Sequence, residues 1–391
     1  MPIAIKAKEE GFKGFILPNE NAREAAIVDD LEVYGIDNIK EVMDFFDKGT
    51  PLQQTIIDTK EEFYKSLDFP EFDFSDVKGQ ESIKRCMEIA AAGGHNIILI
   101  GPPGAGKTML AKRLPSILPP MTLHEALETT KIHSVVGKIK NMGLMNQRPF
   151  RSPHHTISDV ALVGGGAYPQ PGEISLSHNG VLFLDELPEF KRGVLEVMRQ
   201  PLEDREVTIS RARFTVTYPS SFMLVASMNP SPGGYFNDPD APVTSSPAEM
   251  QRYLSKISGP LLDRIDIHIE VTPVPFEKLS EERKGEGSVE IRKRVTAARE
   301  IQTQRFAEIE NVHYNAQMNT KHIRKYCIMD DASKELLKNA MERLNLSARA
   351  YDRILKVART IADLENAADV SGNHIGEAIQ YRSLDREGWL G

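Results

Sequence analysis

Apolar runs of strand length alternate along this chain with segments whose apolar positions recur at helical spacing. Such runs are typical of parallel β-strands that are buried on both faces. The alternation predicts an α/β fold with a three-layer core, in which helices cover both faces of a parallel sheet. The predicted strands are residues 95–100, 180–187, 222–229 and 261–271. The predicted helices of the core are residues 80–92, 107–114, 123–131 and 192–201.

Other parts of the chain carry different patterns. Residues 1–62 alternate short apolar runs with loops and include a helical stretch at 39–46, which indicates a partial α/β segment too small for a comfortable core of its own. Residues 51–70 have the polar, acidic composition of a linker. From Val289 onward the apolar positions keep helical spacing, so the last third is predicted to be all-helical. Residues 206–217 alternate apolar and polar positions and predict a projecting β-hairpin.

The first candidate site directly follows the apolar run that ends at Ile100. A phosphate-binding P-loop is predicted at Gly101, Pro102, Pro103, Gly104, Ala105, Gly106, Lys107, Thr108 and Met109. The glycines let backbone N–H groups turn toward phosphate oxygens, Lys107 places a positive charge near the outer phosphates, and the Thr108 hydroxyl can ligate Mg²⁺. The helix that begins at Lys107 points the positive end of its dipole at the same anion. The sequence therefore predicts binding of a nucleoside triphosphate with Mg²⁺.

A second element of such a site is an apolar strand that ends in carboxylates. Asp185 and Glu186 follow the run Val181–Leu184. We expect Asp185 to hold Mg²⁺ through water, and Glu186 to orient and deprotonate the water that attacks the γ-phosphate. An ordinary strand end followed by a solvated turn is the alternative. The P-loop upstream in the same chain favours the catalytic interpretation.

Composition narrows the class of protein. The 391 residues are 40% hydrophobic and 27% charged, which is ordinary for a globular protein with room for two or three domains. No apolar run approaches the length of a membrane span, and the first residues lack the pattern of a signal peptide, so we expect no membrane partner and a cytoplasmic location. Cys86 and Cys327 lack partners at metal-ligand spacing, which favours reduced, structural thiols.

The net charge of −8 is unevenly distributed. Residues 1–75 hold eight basic and 17 acidic side chains, so the rest of the chain carries a net charge of +1. Between Glu128 and Asp159 there is no acidic residue. The basic residues of this stretch are Lys131, Lys138, Lys140, Arg148 and Arg151. Such a stretch suits a surface that binds a polyanion, and it equally suits a solvated loop whose charges aid solubility.

Four segments together resemble the ComM/YifB family of magnesium-chelatase-like AAA+ ATPases. They are Phe150–His155, Val181–Glu186, Leu261–Arg264 and Ala358–Leu364. The resemblance covers nearly the whole chain. Many NTPases share the P-loop, whereas the run that ends in His154 and His155 and its spacing to the acid pair are specific to this group. No third ligand at suitable spacing accompanies these two histidines, so we expect loop contacts there and no metal.

The resemblance implies a division of the chain into three parts. Residues 1–62 would be a partial Lon-protease-like segment, residues 63–285 the AAA+ P-loop ATPase core, and residues 286–391 the helical lid. Residues 11–18 resemble only the final part of the Lon-like domain. The part that would carry a peptidase serine is absent, so we expect a truncated N-terminal domain and no proteolysis.

The family also suggests three polar residues of the catalytic machinery. Asn229 falls where the first sensor residue lies, at the tip of a strand beside the acid pair, although a simple strand-end cap is the alternative. Arg264 resembles the arginine finger that such ATPases insert into the site of a neighbouring subunit. A salt bridge to the adjacent Asp263 or Asp266 is the competing assignment.

The helical lid would supply the second sensor. Arg349 matches its position, and Arg353, one helical turn later, is the rival candidate. Two insertions, near residues 132–172 and 205–218, would face a central pore and grip phosphates without reading bases, unless single residues pack against the core instead. The DNA-contact candidates are Lys138, Lys140, Arg148, Arg151, Arg211 and Arg213.

The implied function is that of an ATP-hydrolysing ring of identical subunits, hexameric in the family, that acts on DNA. Branch migration or helicase activity in recombination or natural transformation is the task that the resemblance implies. A chelatase-type motor that remodels a protein partner and does not act on DNA is the alternative.

Overall fold

The computed structural model describes residues 1–58, 63, 72–137, 144–210, 215–232, 246–274 and 285–382. The strands of these ranges are β1 (Gly14–Pro18), β2 (Glu32–Ile36), β3 (Gln54–Thr55), β4 (Ile97–Ile100), β5 (Phe150–Arg151), β6 (Gly164–Gly165), β7 (Gln170–Pro171), β8 (Val181–Leu184), β9 (Glu206–Ser210), β10 (Thr215–Pro219), β11 (Met223–Met228) and β12 (Ile267–Glu270). The helices of the N-terminal segment and the core are α1 (Pro2–Glu9), α2 (Asn19–Ala25), α3 (Ile39–Lys48), α4 (Glu81–Gly93), α5 (Lys107–Ile117), α6 (Leu123–Val135), α7 (Asp159–Val163), α8 (Glu173–Leu176), α9 (Arg192–Glu196), α10 (Arg199–Asp204), α11 (Pro247–Leu254) and α12 (Gly259–Leu262). The helices of the C-terminal part are α13 (Ser288–Arg305), α14 (Thr320–Tyr326), α15 (Asp331–Arg343), α16 (Ala348–Leu364) and α17 (Gly372–Gln380).

The central sheet has five strands, and all of them are parallel. Their order is β12-β4-β11-β8-β5. Successive residues of each inner strand enter different hydrophobic clusters, because side chains alternate between the two faces of a strand. Ile97 and Leu99 join the cluster on one face, whereas Ile98 and Ile100 join the cluster on the other. This arrangement confirms the predicted three-layer α/β core.

The C-terminal helices pack directly on this core. Helix α13 packs against α4 and α5, and α16 packs against α4. Val295 of α13 and Ile361 of α16 belong to the same hydrophobic cluster as Ile97 of the sheet. The prediction of an all-helical C-terminal part is confirmed. Its apolar faces complete one side of the core.

The N-terminal segment has a separate, smaller core. Strands β1 and β2 are parallel, and β3 pairs antiparallel with β2. Its hydrophobic cluster is built mostly from small side chains around Leu31 and Val33. Helix α1 contacts α6 of the core. The expected α/β segment is therefore present, and its modest core is consistent with its size.

Two elements differ from the expectation. The helix expected at 192–201 is split into α9 and α10, and α10 ends where Arg205 adopts the left-handed conformation with φ of 58°. The strand expected at 261–271 is confined to β12, because residues 259–262 form α12, with Pro260 at its first turn where a missing N–H costs nothing. The predicted hairpin is present as β9 and β10 in antiparallel register.

Two further observations concern the whole described chain. Among the described residues, no helix combines the length and the apolar character that crossing a bilayer requires. Cys86 and Cys327 are free and buried. Burial raises the pKa of both thiols, which makes them unreactive at neutral pH.

A buried ionic cluster joins the helices of the C-terminal part. The Asp363 side chain is fully buried on α16, and its carboxylate accepts hydrogen bonds from Arg305 at 2.7 Å, Asn315 at 2.7 Å and Arg359 at 3.1 Å. Arg305 lies on α13, so the cluster ties α13 to α16. A buried charge is tolerated only where such partners replace water.

We expect Asp363→Asn to destabilise the protein by about 3–5 kcal/mol, because the substitution leaves two guanidinium groups without a buried counter-charge. The shift of the thermal unfolding midpoint, with urea unfolding as a second probe, measures this effect. Asp331→Asn removes an exposed acid that pairs with Lys334 in the same part of the chain and should cause a much smaller change. Equal shifts for the two variants would contradict the assignment.

Candidate active site

The predicted P-loop lies between β4 and α5, at the carboxyl end of a central strand. Gly101 is required by close packing, since a Cβ atom there would lie 2.3 Å from the Val271 carbonyl oxygen. Gly106 has φ of 91°, a conformation that other residues rarely adopt. These glycines let the loop turn sharply into α5, so the N-terminus of α5 faces the space above the sheet.

The Lys107 ammonium group lies within the loop and is largely covered. It donates hydrogen bonds to the carbonyl oxygens of Gly101 at 2.6 Å and Pro102 at 3.0 Å, and to Asn229 Oδ1 at 3.1 Å. Burial lowers the pKa of Lys107, while the carboxylates of Asp185 and Glu186 act in the opposite direction. Lys107 and Asn229, which the sequence analysis assigned to one site, are therefore in direct contact.

Asp185 and Thr108 also meet at this edge of the sheet. The Thr108 hydroxyl donates a 2.9 Å hydrogen bond to Asp185 Oδ2, and the Ser227 hydroxyl donates to Asp185 Oδ1. A hydroxyl and a carboxylate are the oxygen ligands that Mg²⁺ prefers, and this ion usually keeps waters and substrate phosphates as its other ligands. No cluster of three or more His, Cys, Asp or Glu side chains suited to a metal occurs among the described residues. The donor set therefore fits Mg²⁺ bound together with a nucleotide.

Glu186 lies beside this pair with its side chain about half exposed. Its backbone N–H donates a 3.1 Å hydrogen bond to Ser227 Oγ, and its φ of 54° is a left-handed conformation uncommon for glutamate. His155 Nδ1 lies 3.9 Å from Glu186 Oε2. The backbone thus turns the Glu186 carboxylate away from the strand, where it can reach a water above the sheet.

The sequence analysis did not assign four residues to this site: Ser227, Gln80, Tyr253 and His155. Ser227 could have been noticed as a polar residue inside an apolar strand. Gln80, at φ of 56°, donates to the carbonyl oxygens of Ala105 at 3.2 Å and Thr272 at 3.0 Å. Tyr253 donates to the Asn229 carbonyl oxygen at 3.2 Å, and burial raises the pKa of its phenol. The contacts of Gln80, Tyr253 and His155 join residues that are distant in sequence, so no local sequence pattern predicts them.

Arg264 does not lie at the P-loop edge of the sheet. Its carbonyl oxygen accepts a 2.9 Å hydrogen bond from Asn96, which precedes β4, whereas the P-loop follows β4. The four residues of β4 separate these ends by about 13 Å at roughly 3.3 Å per residue. The Arg264 guanidinium pairs with Glu203 and not with Asp263 or Asp266, the two partners considered from the sequence.

The two lid arginines lie next to the same loop. Arg349 pairs with Asp263, and Arg353 donates a 2.8 Å hydrogen bond to Asp266. Among the described residues, neither arginine makes a hydrogen bond or an ion pair with the P-loop. Arg264 and Arg349 therefore stand apart from the nucleotide pocket of their own chain.

Two of the DNA-contact candidates require a correction. Arg148 is mostly buried and binds the Glu125 carboxylate at 3.1 Å and the Asn179 carbonyl oxygen at 2.8 Å. Arg151 binds Glu173 through two hydrogen bonds of 2.5 and 2.7 Å. Both guanidinium groups are used inside the protein, so packing against the core, the alternative left open from the sequence, describes them better. Lys138, Lys140, Arg211 and Arg213 lie outside the described residues.

Comparison with known proteins identifies relatives over nearly the whole chain. Residues 73–279 match the family described as magnesium chelatase, subunit ChlI, and residues 285–382 match its C-terminal domain. Competence protein ComM of Haemophilus influenzae is 45% identical over 98% of this chain and 74% of its own length. YifB of Salmonella typhimurium is 43% identical and YifB of Escherichia coli 42% identical, each over 99% of this chain and 75% of its own length.

We expect Ser227→Ala to reduce Mg²⁺-dependent nucleotide hydrolysis about 10- to 100-fold, because groups that hydrogen-bond to a metal ligand have effects of this size. The Mg²⁺ concentration that gives half-maximal activity should rise. Steady-state assays across a Mg²⁺ titration measure both effects. Ser175→Ala is the matched control, since Ser175 is buried but its hydroxyl makes no hydrogen bond within the described structure. A wild-type Mg²⁺ response in Ser227→Ala would remove Ser227 from the site.

Proposed function

The chain belongs to the magnesium chelatase ChlI family of AAA+ ATPases, and we propose that it hydrolyses ATP as a ring of identical subunits and uses this energy to move along DNA. The observation that carries the ATPase part is the convergence of Lys107, Thr108 and Asp185 at the carboxyl end of the sheet. Three side chains from two separate strand ends meet there with the chemistry that a metal–triphosphate complex requires.

Each residue has a distinct role in the proposed reaction. The P-loop amides and Lys107 would bind the β- and γ-phosphates, and Thr108 and Asp185 would hold Mg²⁺, which would neutralise charge on the phosphates. Glu186 takes a proton from the attacking water, and Asn229 orients that water or the γ-phosphate. When the nucleotide binds, before this chemistry, Lys107 would exchange its contacts with loop carbonyls for contacts with phosphate oxygens.

The position of Arg264 supports a requirement for more than one subunit. Because it lies at the opposite edge of the sheet from its own P-loop, we infer that its guanidinium serves a nucleotide bound by another chain. In a ring, Arg264 of one subunit would neutralise charge that develops on the transferred phosphoryl group in the next. Arg349, close to the same surface loop, would assist from the same side.

DNA as the partner rests on the family resemblance and on charge. The hairpin β9–β10 is a two-stranded ribbon outside the central sheet. Arg211 and Arg213 fall in the sequence between its two strands, outside the described residues. One relative is named a competence protein, and we extend this by proposing branch migration in recombination or natural transformation. With Arg148 and Arg151 bound internally, the proposed DNA contacts reduce to Lys138, Lys140 and the two hairpin arginines.

A chelatase-type remodeller of a protein partner is the second candidate. The description of the matching family favours it, as does the internal pairing of Arg148 and Arg151, which leaves the stretch less basic than its sequence suggests. Such a protein would keep the same ATPase site. The two candidates differ in whether a polyanion stimulates the activity.

We expect Glu186→Gln to lower kcat for ATP about 10²- to 10⁴-fold, the usual contribution of a general base. ATP binding should persist, because the amide keeps the size of the side chain and the P-loop is untouched. Phosphate release and equilibrium binding of ATP, measured on the same preparation, separate the two effects. Glu189→Gln, at a nearby acid that pairs with Lys256, should retain activity. Full turnover by Glu186→Gln would refute the catalytic role.

We expect duplex or branched DNA to stimulate the ATPase, with an affinity that falls steeply as salt rises. Replacing Lys138, Lys140, Arg211 and Arg213 by Gln should flatten the log–log salt dependence by about 0.9 for each DNA phosphate that the variant no longer neutralises. The control replaces four exposed basic residues of the C-terminal helices by Gln: Lys321, Arg324, Lys338 and Arg343. Absence of stimulation by any DNA would favour the protein remodeller.

A further inference from the structure

The loop that carries Arg264 joins α12 to β12 and is anchored by Asp266. The Asp266 side chain is buried, with 2% exposure. Its Oδ1 accepts a 2.8 Å hydrogen bond from Arg353, and its Oδ2 lies 3.1 Å from His95 Nδ1. His95 Nε2 in turn lies 2.8 Å from Thr360 Oγ1. Because Arg353 and Thr360 both belong to α16, the loop is tied to this one lid helix by two routes.

The charge on Asp266 is stabilised by these partners. Burial raises the pKa of Asp266, but the Arg353 charge and the His95 hydrogen bond outweigh burial, and the pKa lies well below its usual value. The carboxylate is therefore ionised at neutral pH, and its contact with Arg353 is an ion pair with little exposure to water. Such a pair holds its geometry more firmly than an exposed one.

The backbone carbonyl groups of Arg264 and Ile265 are held as well. Asn96 donates to the Arg264 carbonyl oxygen at 2.9 Å, and Asn96 Oδ1 accepts from the Leu224 N–H at 2.8 Å. Arg382, just beyond the last helix of the lid, donates to the Ile265 carbonyl oxygen at 2.7 Å. The loop therefore follows both the sheet edge and the lid.

The Arg264 guanidinium is mostly buried and is held by contacts within its own chain. One terminal nitrogen donates to the Pro260 carbonyl oxygen at 2.5 Å, another pairs with Glu203, and Nε makes no hydrogen bond within the described structure. The direction of the guanidinium is set by Pro260 and Glu203, and the position of the side chain is set by the backbone of the loop. A shift of α16 would move that backbone through Asp266.

We propose that the Asp266–Arg353 ion pair is a positioning contact through which the helical lid sets how Arg264 is presented to the neighbouring subunit. This inference rests on the proposed action of Arg264 on a neighbour's nucleotide. Neither Asp266 nor Arg353 touches the reacting atoms. Both act through the loop, so their loss should affect the site next door and spare the pocket of the same chain.

Subunit mixing tests the premise first. The Arg264→Ala subunit keeps an intact pocket without the finger, and the Glu186→Gln subunit keeps the finger beside an inactive pocket. Each variant alone should hydrolyse ATP poorly, and their mixture should regain activity. If mixing restores nothing although both variants assemble, as measured by mass with nucleotide, the action of Arg264 across subunits is refuted and the inference falls with it.

The inference itself is then tested by adding Arg353→Gln to one or the other of these two subunits. Arg353→Gln in the Glu186→Gln subunit should lower the restored rate about 10- to 100-fold, the decrease expected from a small misplacement of a catalytic group. The same substitution in the Arg264→Ala subunit should leave the restored rate and the KM for ATP within about twofold of the parent mixture, since by the inference Arg353 serves only the neighbour's site. That arrangement also proves that an Arg353→Gln chain folds, because it must hydrolyse ATP.

Two further variants complete the design. Arg353→Lys keeps the charge and should restore part of the activity when placed in the finger-donating subunit. Arg85→Gln breaks another contact between core and lid, the ion pair of α4 with Glu377 of α17 at 3.1 Å, and should have little effect in either subunit. Equal decreases from both placements of Arg353→Gln, or an equal decrease from Arg85→Gln, would show a merely structural role and overturn the inference.

Discussion

The common direction of all five central strands is the constraint on which the rest of this structure depends. Carboxyl ends of parallel strands meet at one edge of a sheet, and amino ends meet at the other. The P-loop, the acid pair and Asn229 follow β4, β8 and β11 and so converge without any contact between them in sequence. The same rule carries the loop with Arg264, which precedes β12, to the opposite edge. The common direction of the strands thus gathers the residues of the candidate pocket at one edge and leaves Arg264 at the other.

Buried charged side chains also organise this structure, and each is stabilised in the same way. Each is costly to remove from water and is kept only where several partners replace the missing hydration. Asp363 has guanidinium groups from two helices, and Asp266 has Arg353 and His95. Since these partners come from different elements, every such charge also fixes the relative position of the elements. The helical lid is held to the core by directional contacts in addition to its apolar faces.

Much of the fold could be predicted from the sequence because its signals are local. Apolar runs of strand length mark the inner strands, and the glycine pattern after β4 marks the P-loop. The pairings of Arg148 with Glu125 and of Arg151 with Glu173 were not predictable, since each joins residues more than 20 positions apart across different elements. Charge counted along the sequence therefore overstated the basic surface. Ser227 escaped notice for a related reason, as its role depends on which strand lies beside it.

The lid contacts both functional parts of the core, and this links them physically. Helix α13 packs against α5, whose N-terminus faces the nucleotide pocket, while α16 holds the Arg264 loop through Asp266. The buried cluster of Asp363 with Arg305 ties α13 to α16, in addition to the direct packing of the two helices. A displacement of α5 when phosphates bind would then reach the opposite edge of the sheet through the lid, without bending the sheet itself. In the proposed ring, this connection would link successive sites, because the edge that carries Arg264 is the edge proposed to face the next subunit.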